Sequence, residues 1–221
     1  MGPRTALLVG ATGLVGGHLL RRLLADDAYG RVIAIVRRPL EVKHPKLHMH
    51  VLDFDKLPHD FPAEAVDDVF IALGTTIKKA GTQEAFRKVD HTYVVETARA
   101  ARGKGAKQAL VVSAVDADPA SRIFYNRVKG ETETALRSLG YPALHLFRPS
   151  ILLGEREELR PGERAGIIGA KLLRPLLVGK LRKYRGTPAD GLAAAMIHVA
   201  KRGEGGIHVH EGEAILRHAD A

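Results

Sequence analysis

The chain has 221 residues, 45% of them hydrophobic, and a formal charge of +9, which is enough apolar material for one large core. It contains no cysteine, so disulfides, thiolate metal sites and a thiol nucleophile are excluded, and nothing marks a secreted protein. No stretch reaches the roughly 20 apolar residues of a membrane span, and the apolar run near the N-terminus is soon broken by glycines, so no integral membrane association and a cytoplasmic location are expected.

The first element sets the frame for the rest. Ala6 to Val9 is an apolar run of strand length that meets Gly10, passes Gly13 and Gly16, and becomes a leucine-rich helix from Leu14 to Ala25. Gly10 suits a tight turn, Gly13 lets a ligand approach the backbone, and Gly16 lets the helix sit close on the strand. The first helical N–H groups have no partner within the helix and carry positive dipole character, so the turn from Gly10 through Thr12, Gly13, Leu14, Val15 and Gly16 is a candidate pyrophosphate cradle.

A second buried strand, Val32 to Val36, runs into Arg37 and Arg38 and stops at Pro39; the nearest carboxylate is Glu41. In a dinucleotide-binding fold an acidic residue here bonds the 2′-hydroxyl of NAD, whereas arginine accommodates the 2′-phosphate of NADP. Two guanidiniums match a phosphate dianion, which predicts NADP, with NADPH preferred over NADH. A third strand, Leu47 to Leu52, ends at Asp53, a candidate acceptor for the adenine amino group and equally a cap for the next short helix. The strand Val69 to Leu73 delivers Leu73, Gly74 and Thr75 to the edge where parallel sheets hold their ligands.

The spacing then predicts a helix from Thr82 to Arg102, stopped by Gly103 and Gly105, with Phe86, Val89, Tyr93, Val94, Thr97 and Ala101 inward. The next strand delivers Ser113 at its carboxyl end. Asp118 and Pro119 read as the start of a helix reaching Leu139, and on it Tyr125 and Lys129, four residues apart, share one face.

These features together resemble a short-chain dehydrogenase/reductase of the extended or atypical branch: GxxGxxG opens the first helix, Asp53 ends the third strand, and Ser113, Tyr125 and Lys129 reproduce the Ser…YxxxK arrangement. LGTTIKKAGTQEAFRKVDHTY, FYNRVKGE, FRPSILLGERE and RPGE more closely resemble the Tat-interacting-protein family and its bacterial relatives. The match runs from about residue 5 to 210, with the motifs in order. It implies an α/β fold: a single Rossmann-type, doubly wound, mostly parallel sheet with helices on both faces. One domain over 1–221 is expected, with 151–187 forming a small C-terminal substrate-side lobe.

The resemblance also places Arg148, at the end of the strand ALHLFRPS, near the nicotinamide end of the cofactor. It implies an NADPH-dependent oxidoreductase of a small carbonyl or enone, with Tyr125 as general acid/base. Lys129 tunes that phenol and holds the nicotinamide ribose, and Ser113 donates to the substrate oxygen. Many relatives hold a relay water on an asparagine of the preceding helix. This chain has none there, and Asp90, His91 or Thr92 stand in that region. The competing reading is a catalytically weak NADPH-binding regulatory or interaction protein.

Farther on, Gly154 to Glu163 reads as a loop rimming the cleft and Ile167 to Pro175 as helix. Six cations between Lys171 and Arg185, at Lys171, Arg174, Lys180, Arg182, Lys183 and Arg185, carry two thirds of the net charge with leucines between them. They suit a core-packed helix with solvated charges, or a contact for a partner or anionic surface. No aromatic-studded sheet or zinc pattern accompanies them, so no nucleic acid is expected. A long helix from Asp190 to Ala200, the strand IHVHE and a short helix complete the chain. His208 and His210 alternate on that strand without a third ligand, and no metal is expected. The expected partners are therefore a dinucleotide cofactor and an unidentified small-molecule substrate, in a monomer or homodimer.

Overall fold

The computed structural model describes residues 2–154 and 184–219. Seven parallel strands form the central sheet: β1 (Arg4–Val9), β2 (Tyr29–Val36), β3 (Leu47–Val51), β4 (Asp68–Ile71), β5 (Gln108–Val112), β6 (Ala143–Arg148) and, after two short strands, β9 (Gly206–Glu211). Their order is β3-β2-β1-β4-β5-β6-β9, so the direction of winding reverses between β1 and β4. A two-stranded parallel ribbon, β7 (Leu152–Leu153) and β8 (Thr187–Pro188), stands apart from the sheet.

The central strands are buried on both faces, which is why β1, β2, β4, β5 and β6 read as largely apolar runs, whereas the edge strands β3 and β9 are partly exposed and carry histidines. Along β1, Ala6 and Leu8 pack on one side and Leu7 and Val9 on the other. The first side is covered by α1 (Leu14–Ala25), whose Leu19, Leu20, Leu23 and Leu24 form a buried stripe, and by the later helix Ala189–Arg202. Each such leucine contributes about 1.5–3 kcal/mol relative to exposure.

After α2 (Leu57–Asp60) and α3 (Ile77–Ala80), the other side is covered by a helix in three parts. It begins as α4 (Gln83–Arg87), with Thr82 as N-cap accepting from the Ala85 N–H at 3.1 Å. A π-helical turn over Lys88–Thr92 follows, and α5 (Tyr93–Gly103) completes it. The extra residue in the π turn shifts the face presented on either side of it and buries Asp90.

The next helix, α6 (Phe124–Arg137), starts five residues later than the Asp118–Pro119 pair suggests. Asp118 Oδ1 accepts from the Ala120 N–H at 2.9 Å and Ser121 Oγ from the Ile123 N–H at 3.2 Å. These local bonds hold a turn where a helix would otherwise begin. The last two helices are α7 (Ala189–Arg202), ended by Gly203 at φ +64, and α8 (Glu213–Ala219). Residues 155–163 of the expected rim loop, the helix Ile167–Pro175 and five of the six cations of the basic segment, all but Arg185, lie outside the described residues, as does most of the expected 151–187 lobe. Among the described residues, no helix is long and apolar enough to cross a membrane.

Candidate active site

The carboxyl ends of β1 and β4, where the winding reverses, carry the glycine turn. Gly10 adopts φ +92, and a Cβ there would lie 2.5 Å from the Ala72 carbonyl oxygen. At Gly16 a Cβ would meet the Gly10 carbonyl oxygen at 1.9 Å, so the start of α1 can lie against the turn only with glycine at that position. A Cβ on Gly13 meets little besides the Gly10 oxygen at 3.2 Å, which leaves the outer side of the turn open to a ligand. Val15 is buried in the core and offers only its backbone, whereas Thr12 is exposed. The α1 N-terminus has no side-chain cap and no acid in its first turn, so its N–H groups suit an anion. The donor set therefore fits a dinucleotide pyrophosphate.

Around the turn, Arg37 and Arg38 project from the end of β2, both exposed, and no ion pair engages either among the described residues. Asp53 caps the 3-10 turn Phe54–Lys56 by accepting from the Asp55 N–H at 3.0 Å. The loop after β4 passes from Leu73 through Gly74 to Thr75, whose N–H donates to Asp90 Oδ2 at 2.8 Å.

Ser113 and Tyr125 line one cavity of about 280 Å³ at the carboxyl edge of the sheet, together with Asp116, Asn126 and Ser150. Tyr125 is braced by Phe86, ring centroids 5.6 Å apart. Lys129, one turn further along α6, is buried, and its Nζ lies 2.7 Å from Asp90 Oδ1. Burial, the largest single influence, acts to lower the Lys129 pKa, but Asp90, Tyr125 and Glu133 together outweigh it, and the net shift is upward. Lys129 therefore stays an ammonium, within a pair whose charges cancel.

Two expectations need correction. Ser113 does not have its proton available for a substrate: its Oγ lies 2.5 Å from Glu133 Oε1. Arg148 is engaged by carboxylates of the fold itself. Its Nε and Nη2 grip Glu133 at 2.8 and 2.7 Å, and its Nη1 reaches Glu211 at 2.8 Å. The hydrogen bond to Glu133, more than any other contact, raises the Arg148 pKa. Buried charges need such partners, and the two nearest carboxylates take the guanidinium that analogy assigned to the cofactor.

Sequence reasoning missed Glu133. Its signal was available, because it stands four residues after Lys129 and eight after Tyr125 and so continues the face they share. Gly130 was also missed: a Cβ there would lie 2.2 Å from the Asp118 carbonyl carbon and from Pro119 N, so only glycine lets α6 sit on the 118–119 turn. Asp116, at φ +58, has no sequence signal.

The strand order, the reversal between β1 and β4 and the glycine turn at that reversal define a dinucleotide-binding Rossmann fold. A profile described as NAD(P)H-binding matches residues 10–140. The chain is 38% identical over 164 residues to protein HTATIP2 of Rattus norvegicus, covering 72% of this chain and 67% of that protein. It is 34% identical over 199 residues to protein FMP52, mitochondrial, of Eremothecium gossypii, covering 88% and 87%. Among solved structures, MoeE5 in complex with UDP-glucuronic acid and NAD superposes with a TM-score of 0.69 at 18% identity, over 93% of this chain and 75% of that one. The UDP-glucose 4-epimerase of Thermotoga maritima gives 0.69 at 17%, over 94% and 76%.

The chain belongs to the NAD(P)H-binding family, among the relatives of HTATIP2 and FMP52. One expectation falls here. The FMP52 relatives bear a mitochondrial designation, which conflicts with the plainly cytoplasmic location inferred from the absence of a span and of cysteine.

Proposed function

We propose that the protein is an NADPH-dependent reductase of a carbonyl compound, with Tyr125 as the proton donor. The observation that carries this reading is the shared cavity: Ser113 and Tyr125 line it, and the buried Lys129 ammonium lies one helical turn from the phenol on the same face. A bound reduced nicotinamide supplies the hydride. The protein's part is to place the carbonyl, to protonate its oxygen from the phenol and to exclude water. Lys129 keeps a positive charge beneath Tyr125, and Asp90 fixes where that charge sits. Gly10 to Gly16 would hold the pyrophosphate, and Leu73 to Thr75 would flank the dinucleotide where the winding reverses.

NADPH over NADH is supported by the exposed Arg37 and Arg38 at the end of β2, with no carboxylate at that point of the chain to accept from a 2′-hydroxyl. A second reading has an observation of its own. Asp90, one of the three residues in the region where many members of the resembled family hold an asparagine, lies 2.7 Å from the Lys129 ammonium and offsets its field. That favours a protein that binds NADPH and turns over slowly, as a sensor.

The Tyr125→Phe variant separates the two. A reductase retains NADPH affinity within about twofold and loses reduction across a carbonyl panel, a general acid contributing typically about 10²–10⁴-fold. The same trace activity in wild type and variant assigns the protein to sensing.

A further inference from the structure

The donors and acceptors around the cavity are unequally divided. Ser113 has a single proton, and the acceptor that takes it, Glu133, is gripped through both oxygens by Arg148. A carboxylate held in that way only accepts, so Ser113 donates inward and has lone pairs left for the cavity it lines. Ser150, on the same wall, donates its hydroxyl proton to the Arg185 carbonyl oxygen, which also can only accept. Both serines of the cavity are therefore committed as donors and present acceptors. Asp116, a third polar member, is a carboxylate that accepts from the Tyr184 hydroxyl at 2.8 Å. Tyr125 and Asn126 remain as side-chain donors, and much of the remaining lining is apolar, with Val115, Ile151 and Leu152.

We infer that the substrate carries a hydrogen-bond donor, a hydroxyl or an N–H, on the carbon beside its carbonyl, and that Ser113, oriented by Glu133, accepts from it. This rests on the reductase reading and narrows its substrate class from simple ketones and enones to hydroxy- or amino-carbonyl compounds. Tyr125 gives its proton to the carbonyl oxygen as the carbonyl carbon takes the hydride of NADPH. The neighbouring donor is unchanged, and the products are a vicinal diol or amino alcohol and NADP⁺. Glu133 is a positioning residue: it touches no substrate and acts by fixing the direction of one O–H bond. A site with its acceptor so fixed discriminates against an analogue that cannot donate, because the buried lone pair is then left unpartnered.

The test needs no turnover. The protein saturated with NADP⁺ is titrated calorimetrically with 2-hydroxycyclohexanone and with 2-methoxycyclohexanone, which differ in a single donor. The hydroxy compound is expected to bind at least tenfold more tightly. Ser113→Ala, its folding checked by thermal unfolding, is expected to bring the two within twofold. Glu133→Gln, which sets an amide N–H against Ser113 or Arg148, is expected to narrow the ratio below threefold. Equal affinities in the wild type, binding of neither ketone, or a ratio that survives Ser113→Ala would overturn the inference. A ratio untouched by Glu133→Gln would overturn the positioning role. The wild-type comparison stands even if a variant fails to fold. Failure of NADP⁺ itself to bind removes the dinucleotide reading, whereas NADP⁺ binding without discrimination removes only this inference.

Discussion

The two ends of the sheet each bury a carboxylate against an arginine, and they differ in what surrounds the pair. At the amino edge, Asp68 accepts from Arg4 and from the Tyr29 hydroxyl, the latter at 2.8 Å, while Arg4 and Gln108 also donate to the Ala200 carbonyl at 2.9 and 2.8 Å. These bonds run within the fold, and β1, β2, β4, β5 and α7 are tied at one point. At the carboxyl edge, Glu133 and Asp90 are also paired, but Glu133 holds Ser113, which lines the cavity, and Asp90 holds Lys129, one helical turn from Tyr125, which lines it too. The same chemistry is a fastener at one end and an orienting device at the other. What separates them is whether the chain leaves an open space beside the pair.

The strongest way to break this comparison is Glu133→Ala. It leaves the Arg148 guanidinium with Glu211 alone and the Ser113 proton without its acceptor, so a loss of about 3–5 kcal/mol is expected in urea unfolding. A loss below about 1 kcal/mol would mean that water replaces the carboxylate and that the network is not a buried one.

Acid probes a third region between the two edges. His145 on β6 and His210 on β9 face each other with Nδ1 and Nε2 3.2 Å apart, His208 stacks on His145, and His218 of α8 packs against His210. Burial, with these neighbouring imidazoles, pushes His145 and His210 down to about 4, and Glu204 opposes the shift only slightly. Both are neutral in the fold and take up protons readily only when unfolded. Stability is therefore complete above the unfolded value of about 6.5 and falls as pH drops from there toward 4. Between pH 7 and pH 5 a loss of about 2–4 kcal/mol is expected, measured as a fall in the urea midpoint. His210→Phe should flatten the slope.

How much of this was legible follows from where the information sits. The central strands, the extent of α1 and the glycine turn were readable because the middle of the sheet is buried on both faces and only glycine meets the contacts at Gly10 and Gly16; these are local demands on residue type. The boundary of α6 was not, because the bond from Asp118 to the Ala120 N–H competes with helix initiation on nearly equal terms. Asp90 was one of three candidates in sequence, and the π turn, a register shift with no compositional mark, decides that it is the buried one. The direction of the Ser113 proton depends on Glu133, Arg148 and Glu211, which come from α6, β6 and β9. A periodicity argument sees one element at a time and does not bring those three together.

A milder test at the amino edge is Asp68→Ala, which removes the acceptor of Tyr29 and a partner of Arg4. It also relieves a carboxyl whose pKa burial has raised despite those partners, so the net loss is expected at about 1–3 kcal/mol. NADPH affinity should stay within twofold of the wild type, since no group of this cluster approaches the glycine turn. A tenfold loss of affinity with intact stability would show that the two edges are coupled and that the contrast between them is false.

The smallest effect expected comes from an exposed member of the carboxyl edge. Arg37→Asp removes an exposed cation that no ion pair engages among the described residues, so stability should change by less than about 0.5 kcal/mol. What should change is preference. A carboxylate in that place repels a 2′-phosphate and accepts from a 2′-hydroxyl, so the ratio of NADPH to NADH affinity is expected to fall by about tenfold, about 1.4 kcal/mol. Salt screens an exposed charge, and the shift should shrink between low and physiological ionic strength. If the unmutated protein binds both dinucleotides equally, the two arginines are a solvated strand end, and the carboxyl edge recognises its cofactor through the glycine turn alone.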